Sequence, residues 1–199
     1  MQAQTALTAS IVSIYNLSLA RLGGHQLGRI NSPYEDSTEA SLCNNLYPHI
    51  RDLSLSSYAW NFARKKETLA IVESSIVNAE YPFCFKLPAD CLRPICLEGH
   101  NQDNQPTPFI IRERDLLTGS NPAVLEYIAR IEDPNLWTMS FKNAVAWGLA
   151  SELATALTND INKQMRYLEF YHRSLADAFS SERNTEKPAK LPNPWLEAR

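Results

Sequence analysis

Two hydrophobic rhythms alternate along this chain. From Thr5 to Leu22 the apolar residues Leu7, Ile11, Ile14 and Leu22 recur at helical spacing. Gly23-Gly24 follows as a helix stop. The pair ends a helix rather than opening one, and no lysine–serine pair follows, so it is not read as a phosphate loop. A second helix is expected from Ser32-Pro33-Tyr34-Glu35. Ser32 can cap it, Pro33 fits the first turn, and Glu35 completes a capping box. That helix carries Ala40, Cys43, Leu46, Ile50 and Leu53 toward a core and runs out near Tyr58-Ala59-Trp60. Pro48 is predicted to kink or split it near Tyr47, because proline removes a hydrogen bond and crowds the preceding carbonyl.

Between Asn61 and Ile131 the rhythm shifts toward a period of two. Phe83, Phe85 and Leu87 alternate with Cys84 and Lys86, the pattern of a strand. Pro88 and Pro94 predict that any strand beyond is an edge or is bulged. Asn101 to Pro108 is polar and reads as a surface loop. Phe109-Ile110-Ile111-Arg112 and Leu116-Leu117-Thr118 form the arms of a short hairpin. Val124 to Ile131 is the clearest strand, with Leu125, Tyr127 and Ile131 on one face and Glu126 and Arg130 on the other. It leads into a helix start, with Asp133 as cap and Pro134 in the first turn.

Helical spacing then returns. Phe141, Val145, Leu149, Leu153 and Ala156 form one stripe. Asn159-Asp160 breaks and caps. Ile161, Met165, Leu168, Leu175 and Phe179 form the stripe of a last helix. From Asn184 the pattern dissolves into a segment with prolines at 188, 192 and 194, which is expected to be extended. The fold class is therefore α+β, mainly α: a four-helix bundle interrupted by a small antiparallel β insert, with an extended C-terminal arm. Residues 1–62 and 132–183 make the bundle, 63–131 the β-rich insert and 184–199 the tail.

Composition changes this picture little. The chain has 199 residues, 44% of them hydrophobic and 21% charged, which is ordinary for one globular domain. A chain this long buries roughly 70% of its extended surface and needs no staples to fold. Its net charge of −3 gives no bulk attraction to DNA or anionic lipid. No secretory leader or membrane span is expected. The four cysteines, Cys43, Cys84, Cys91 and Cys96, match no zinc spacing and read as reduced packing thiols.

Candidate chemistry is sparse. None of the histidines His25, His49, His100 and His172 has a second ligand at metal spacing. With six glycines there is little material for a cofactor cradle, so no cofactor is expected. Glu98, Asp103, Glu113 and Asp115 lie in the insert, where acidic pairs can perform acid–base work but loops are commonly acidic for solubility. Arg112, Glu113, Arg114 and Asp115 read more simply as a charged hairpin face, a candidate set for intersubunit ion pairs. Arg64-Lys65-Lys66 is the one compact basic run, a solvated strand end or a phosphate contact. Trp60, Trp137 and Trp147 read as core or interface anchors. In the tail, Leu191, Pro192, Pro194, Trp195 and Leu196 combine low ordering entropy with a large apolar side chain, which suits an arm that docks on a partner.

Several motifs resemble the tail tubular protein A family, the head-to-tail adaptors of short-tailed phages and related prophages. They are Leu17-Ser18-Leu19-Ala20-Arg21-Leu22-Gly23-Gly24, then Leu42-Cys43-Asn44-Asn45-Leu46-Tyr47 with Arg51-Asp52 and Ala59-Trp60-Asn61-Phe62-Ala63. Phe85-Lys86-Leu87-Pro88-Ala89-Asp90-Cys91-Leu92-Arg93 follows, and Tyr127 through Trp137 with Phe141 and Ala144 completes the set. Their order is kept from about Leu7 to Ala178. The resemblance implies a structural virion protein rather than an enzyme. It implies a homo-oligomeric ring, commonly twelvefold, between the portal protein and the tail nozzle or tail tube protein, with DNA passing through the centre. A ring needs heterologous interfaces that close, and such surfaces come from packing. The lumen is then expected not to be a basic strip, since that would hold DNA by its phosphates. Two other readings stand beside this one: a small helical cytosolic module that binds another protein through the tail, and a hydrolase using the acidic insert.

Overall fold

The computed structural model describes residues 2–23, 28–73, 78–98 and 107–183, with backbone alone for 2–6 and 9. Helix α1 (Gln2–Gly23) and α2 (Thr38–Ser57) come first. Strands β1 (Arg64–Thr68), β2 (Phe83–Lys86), β3 (Cys91–Leu97), β4 (Phe109–Arg112), β5 (Asp115–Thr118) and β6 (Val124–Ala129) follow. Helices α3 (Met139–Thr158) and α4 (Ile161–Arg183) close the described chain. The class is α+β, mainly α, as the periodicity predicts.

Helix α3 is the hub. It is rich in alanine and buries Phe141, Ala144, Val145, Leu149, Ala150, Leu153 and Ala154, so apolar atoms face several directions and α1, α2 and α4 all pack on it. Ala156 of the predicted stripe is exposed, beyond the reach of that packing. Gly148 lets the helices close: a Cβ there would lie 2.8 Å from Ile50 Cγ2 and 3.0 Å from the Tyr171 ring. Asn159, left-handed at φ 50°, ends α3, and Asp160 caps α4 by accepting from the backbone N–H groups of Asn162 and Lys163.

Three boundaries differ from the sequence expectation. Helix α2 starts at Thr38, capped by Ser37, whose Oγ accepts from Ala40 N–H. The capping groups at Ser32 and Glu35 are used one turn earlier: Glu35 Oε2 accepts from the N–H groups of Asn31 and Ser32, and Ser32 Oγ accepts from Tyr34 N–H. That closes a free-standing turn rather than a helix. Pro48 does not split α2, which runs unbroken through it. Pro48 and Asn44, whose carbonyl loses its helical donor, are both exposed to water, while Tyr47 and Ile50 hold the neighbouring turns to the core. Asp133-Pro134 opens only a 3₁₀ turn, Pro134–Leu136. Thr138 caps α3 itself, accepting from Phe141 N–H.

The insert is two antiparallel three-stranded sheets, ordered β1-β6-β3 and β2-β5-β4. β3 is an edge strand with register shifts on both sides of Arg93-Pro94, as its proline requires. β6 is a shared wall. Leu125, Tyr127 and Ala129 face a small core between the sheets, with Phe85, Leu97 and Leu116. Ile128, on the opposite face, joins the helical core. One half of the α4 stripe is a correction. Leu175 is buried and Phe179 packs on Tyr58 and Trp60, but Ile161, Met165 and Leu168 are 63%, 67% and 40% exposed. The buried face is Tyr171, Leu175 and Ala178, rotated away from the purely aliphatic residues toward α3.

Candidate functional site

The hairpin tip is built as a two-residue turn. Arg112 and Asp115 are register partners, and Glu113 between them has φ 57°. A positive φ there lets two antiparallel strands of right-handed twist meet in a short turn. The four candidate residues do not pair across the tip. Asp115 accepts from Lys86 Nζ at 2.7 Å, and Arg114 donates to the Pro88 carbonyl at 2.6 Å. Arg112 and Glu113 stand exposed.

The basic run on β1 is neutralised strand by strand. Arg64 reaches Glu126 at 3.4 Å, Lys65 reaches Asp90 at 2.6 Å, and Lys66 pairs with Glu98 and, at 3.8 Å, with Glu126. β1 is exposed along its whole length, an all-polar edge strand held by its ladder to β6 and flanked by these pairs. Each cation of the run thus has a carboxylate beside it. The same geometry bears on acid–base chemistry. Glu98 and Asp115 each sit on a separate lysine, on different sheets, and Asp103 lies outside the described residues.

Two polar clusters lie on either face of the β6 end of the insert. The Tyr127 hydroxyl lies 3.1 Å from both Glu67 Oε2 and Asp90 Oδ1. Burial and then the Asp90 carboxylate push the Tyr127 phenol up, so it remains a donor. Burial pushes Asp90 up as well, but Lys65 and the Tyr127 hydroxyl outweigh it and hold the carboxyl below the ordinary aspartate range. On the other face of β6, Arg130 Nε donates to Asp52 Oδ2 at 2.9 Å, and Arg51 donates to Oδ1 of the same carboxylate at 2.8 Å. Beside this joint lies a shallow open depression of about 480 Å³, lined by Ala89, Asp90, Arg130, Ile131, Glu132, Asp133 and Leu136. Trp137 closes the joint by donating to the Ile131 carbonyl at 3.2 Å.

Arg21 is a residue whose role the sequence did not signal. It donates to the Asn143 carbonyl at 3.1 Å and to the Asn143 side chain, and its guanidinium lies 3.9 Å from the centre of the Trp147 ring. The Tyr167 hydroxyl donates to the Arg21 carbonyl at 2.8 Å. Burial lowers the guanidinium pKa to about 10, which still leaves it charged at neutral pH. One side chain thus fastens the end of α1 to α3 and α4. Trp60 is fully buried, donating to the Ser54 carbonyl at 3.0 Å, with its ring 4.8 Å from Phe141. Trp147 packs on Tyr167 and Phe170.

Cys43, Cys84 and Cys91 are buried and Cys96 is half-buried, all as free thiols. Burial pushes Cys43 up to about 12 and Cys91 to about 11. Among the described residues no group of three or more histidine, cysteine or carboxylate side chains could hold a metal, and no helix is long and apolar enough to cross a membrane. His49 and His172 are exposed on helices. His25, His100 and the tail residues Leu191, Pro192, Pro194, Trp195 and Leu196 lie outside the described residues. No family model matches the chain, and no curated protein does.

Proposed function

We propose that this chain is a ring-forming adaptor of the tail tubular protein A kind. Its place is the head–tail joint of a virion, between a portal protein and the tail nozzle or tail tube protein, after assembly in the host cytoplasm. DNA passes its lumen without being held. The observation that carries this reading is where the resembling motifs fall. Arg21, Arg51, Asp52, Trp60 and Trp137 belong to joints between helices or between insert and bundle, and Asp90 and Tyr127 tie strands of the insert together. A motif set spent on geometry fits a part whose work is to hold a shape, and the two carboxylates that converge there, Glu67 and Asp90, meet on the Tyr127 hydroxyl.

Two further features support it. The β1 cations are balanced by Glu126, Asp90 and Glu98, which suits a wall past which polyanion must slide. The hairpin tip carries Arg112 and Glu113 exposed on the second sheet, where they can meet the next subunit. The test is oligomeric mass and negative-stain imaging of the protein alone and mixed with its portal. Rings of many copies are expected with portal present. Persistent monomers that bind nothing would overturn the adaptor reading. Deleting Lys187 to Arg199 is expected to leave the fold intact and weaken assembly; ring formation at the native level would make Trp195 incidental.

A further inference from the structure

The last turn of α4 returns to the place where the chain leaves the bundle for the insert. Phe179 stacks on Tyr58 with ring centres 4.6 Å apart and meets the Trp60 ring edge-on at 5.7 Å. Three residues on, Glu182 Oε1 accepts from the backbone N–H of Asn61 at 2.7 Å and of Phe62 at 3.3 Å. Those two amides open the 3₁₀ turn Asn61–Ala63. Its own cap position is Trp60, whose indole can only donate and which makes no capping hydrogen bond. The missing acceptor is supplied by a carboxylate 120 residues further along the chain.

This fastening is narrow. Ser180, Ser181 and Arg183 of the same turn are exposed, whereas Leu175 and Ala178 just before it are buried in the helical core. The last carbonyls of a helix have no donor within it, so a helix end depends on the side chains that hold it down. Here Phe179 and Glu182 do so. A helix end with few buried contacts opens more readily than the core it lies on. When it frays, both carboxylate–amide bonds are lost together, and these are of the stronger, charge-assisted kind. The turn they cap runs directly into β1, on which no residue is buried.

We infer that the last turn of α4 is a releasable clasp on the entry to the insert. Phe179 and Glu182 let go as one unit and free Asn61 and Phe62, while the core around α3 stays closed. The clasp couples the C-terminal end of α4 to the first strand of the insert. A pull on the chain at Arg183 therefore loosens the start of β1 before it disturbs the bundle. Both halves belong to one chain, so the clasp works in a monomer, and its failure would leave the adaptor reading untouched.

The test is amide hydrogen exchange of the full-length protein, read residue by residue by NMR at low, increasing urea. In the native chain Asn61 and Phe62 are expected to exchange faster than Leu149 and Leu153 at the centre of α3. Their rates should hardly respond to urea, because a local opening exposes little surface. Glu182→Ala should speed exchange at Asn61 and Phe62 by about tenfold or more, as expected for losing hydrogen bonds to a charged group. Glu182→Gln, which keeps a neutral acceptor, should have a smaller effect. Phe179→Ala touches neither amide, yet should speed both, since the two side chains release together. Exchange at Asn61 and Phe62 that follows urea as steeply as at Leu149 would overturn the inference, because the turn would then open only with the whole fold. So would rates unchanged by Glu182→Ala, or unchanged by Phe179→Ala.

Discussion

The helical core and the outer edge of the first sheet are held by opposite means. Around Trp60 the bundle is aromatic and dry: Phe141, Phe62, Phe179 and Tyr58 all lie with ring centres within 5.9 Å of it, and its N–H has a carbonyl partner. Along β1 no residue is buried, and the strand is kept in place by its ladder to β6 and by ion pairs with Glu126, Asp90 and Glu98. Packing inside a core is sensitive to single methylene groups, whereas an exposed ion pair stabilises little because water competes for both partners. The lesson is that stability and surface character are set in different places. The bundle decides whether the chain folds, and the β1 edge decides what charge it shows.

The sharpest way to break the contrast is Trp60→Ala. It is expected to lose about 3–5 kcal/mol of unfolding free energy in urea, the range for a large aromatic removed from a core. A loss no larger than that of a surface variant would remove the distinction. Gly148→Ala comes next. The added methyl meets Ile50 and Tyr171, an overpacking cost of about 1–3 kcal/mol, against a gain of about 1 kcal/mol in helix propensity. A net fall in thermal midpoint is expected; a rise would mean that those two side chains yield freely.

At the β1 edge the effects shrink. Lys65→Ala should stay within about 1 kcal/mol of the native chain at neutral pH. Its signature is in acid. The Asp90 carboxyl is held below its ordinary value, so its contribution is present above the unfolded aspartate pKa of about 3.9 and is lost as pH falls through the lower folded value. Lys65→Ala should flatten that acid limb, and identical acid curves for the two proteins would deny the coupling. Smallest of all is Tyr47→Phe. The Tyr47 hydroxyl is buried without a hydrogen-bond partner, so its removal should be neutral or stabilising by up to about 1 kcal/mol. A clear destabilisation in urea would show that the hydroxyl is satisfied in solution.

Much of the architecture was legible because it follows from local rules. Proline on β3 announced an edge with bulges, the alternation from Val124 announced β6, and Gly23 with φ 122° ends α1 where the glycine pair predicts. What was hidden depends on partners distant in sequence. β1 reads as polar throughout, because its place is fixed by β6 rather than by burial. On α4 the aliphatic residues Ile161, Met165 and Leu168 mimicked a core stripe. The true contact face uses Tyr171, whose hydroxyl lies 2.9 Å from Ser54 Oγ, a polar partner that hydropathy does not foresee. Gly148 looks like a weak point in a helix until Ile50 and Tyr171 are placed against it. Among the candidate residues, the hairpin containing Arg112 to Asp115 was legible, but not the inward commitment of Asp115 to Lys86 and of Arg114 to Pro88.

Strand β6 separates the two hydrophobic interiors and belongs to both. Leu125 and Tyr127 on one side and Ile128 on the other leave it no room to slide without opening one of them. The small core between the sheets is therefore joined to the helices through a stiff six-residue beam rather than a slack tether. One strand thus sets the angle at which the insert leaves the bundle.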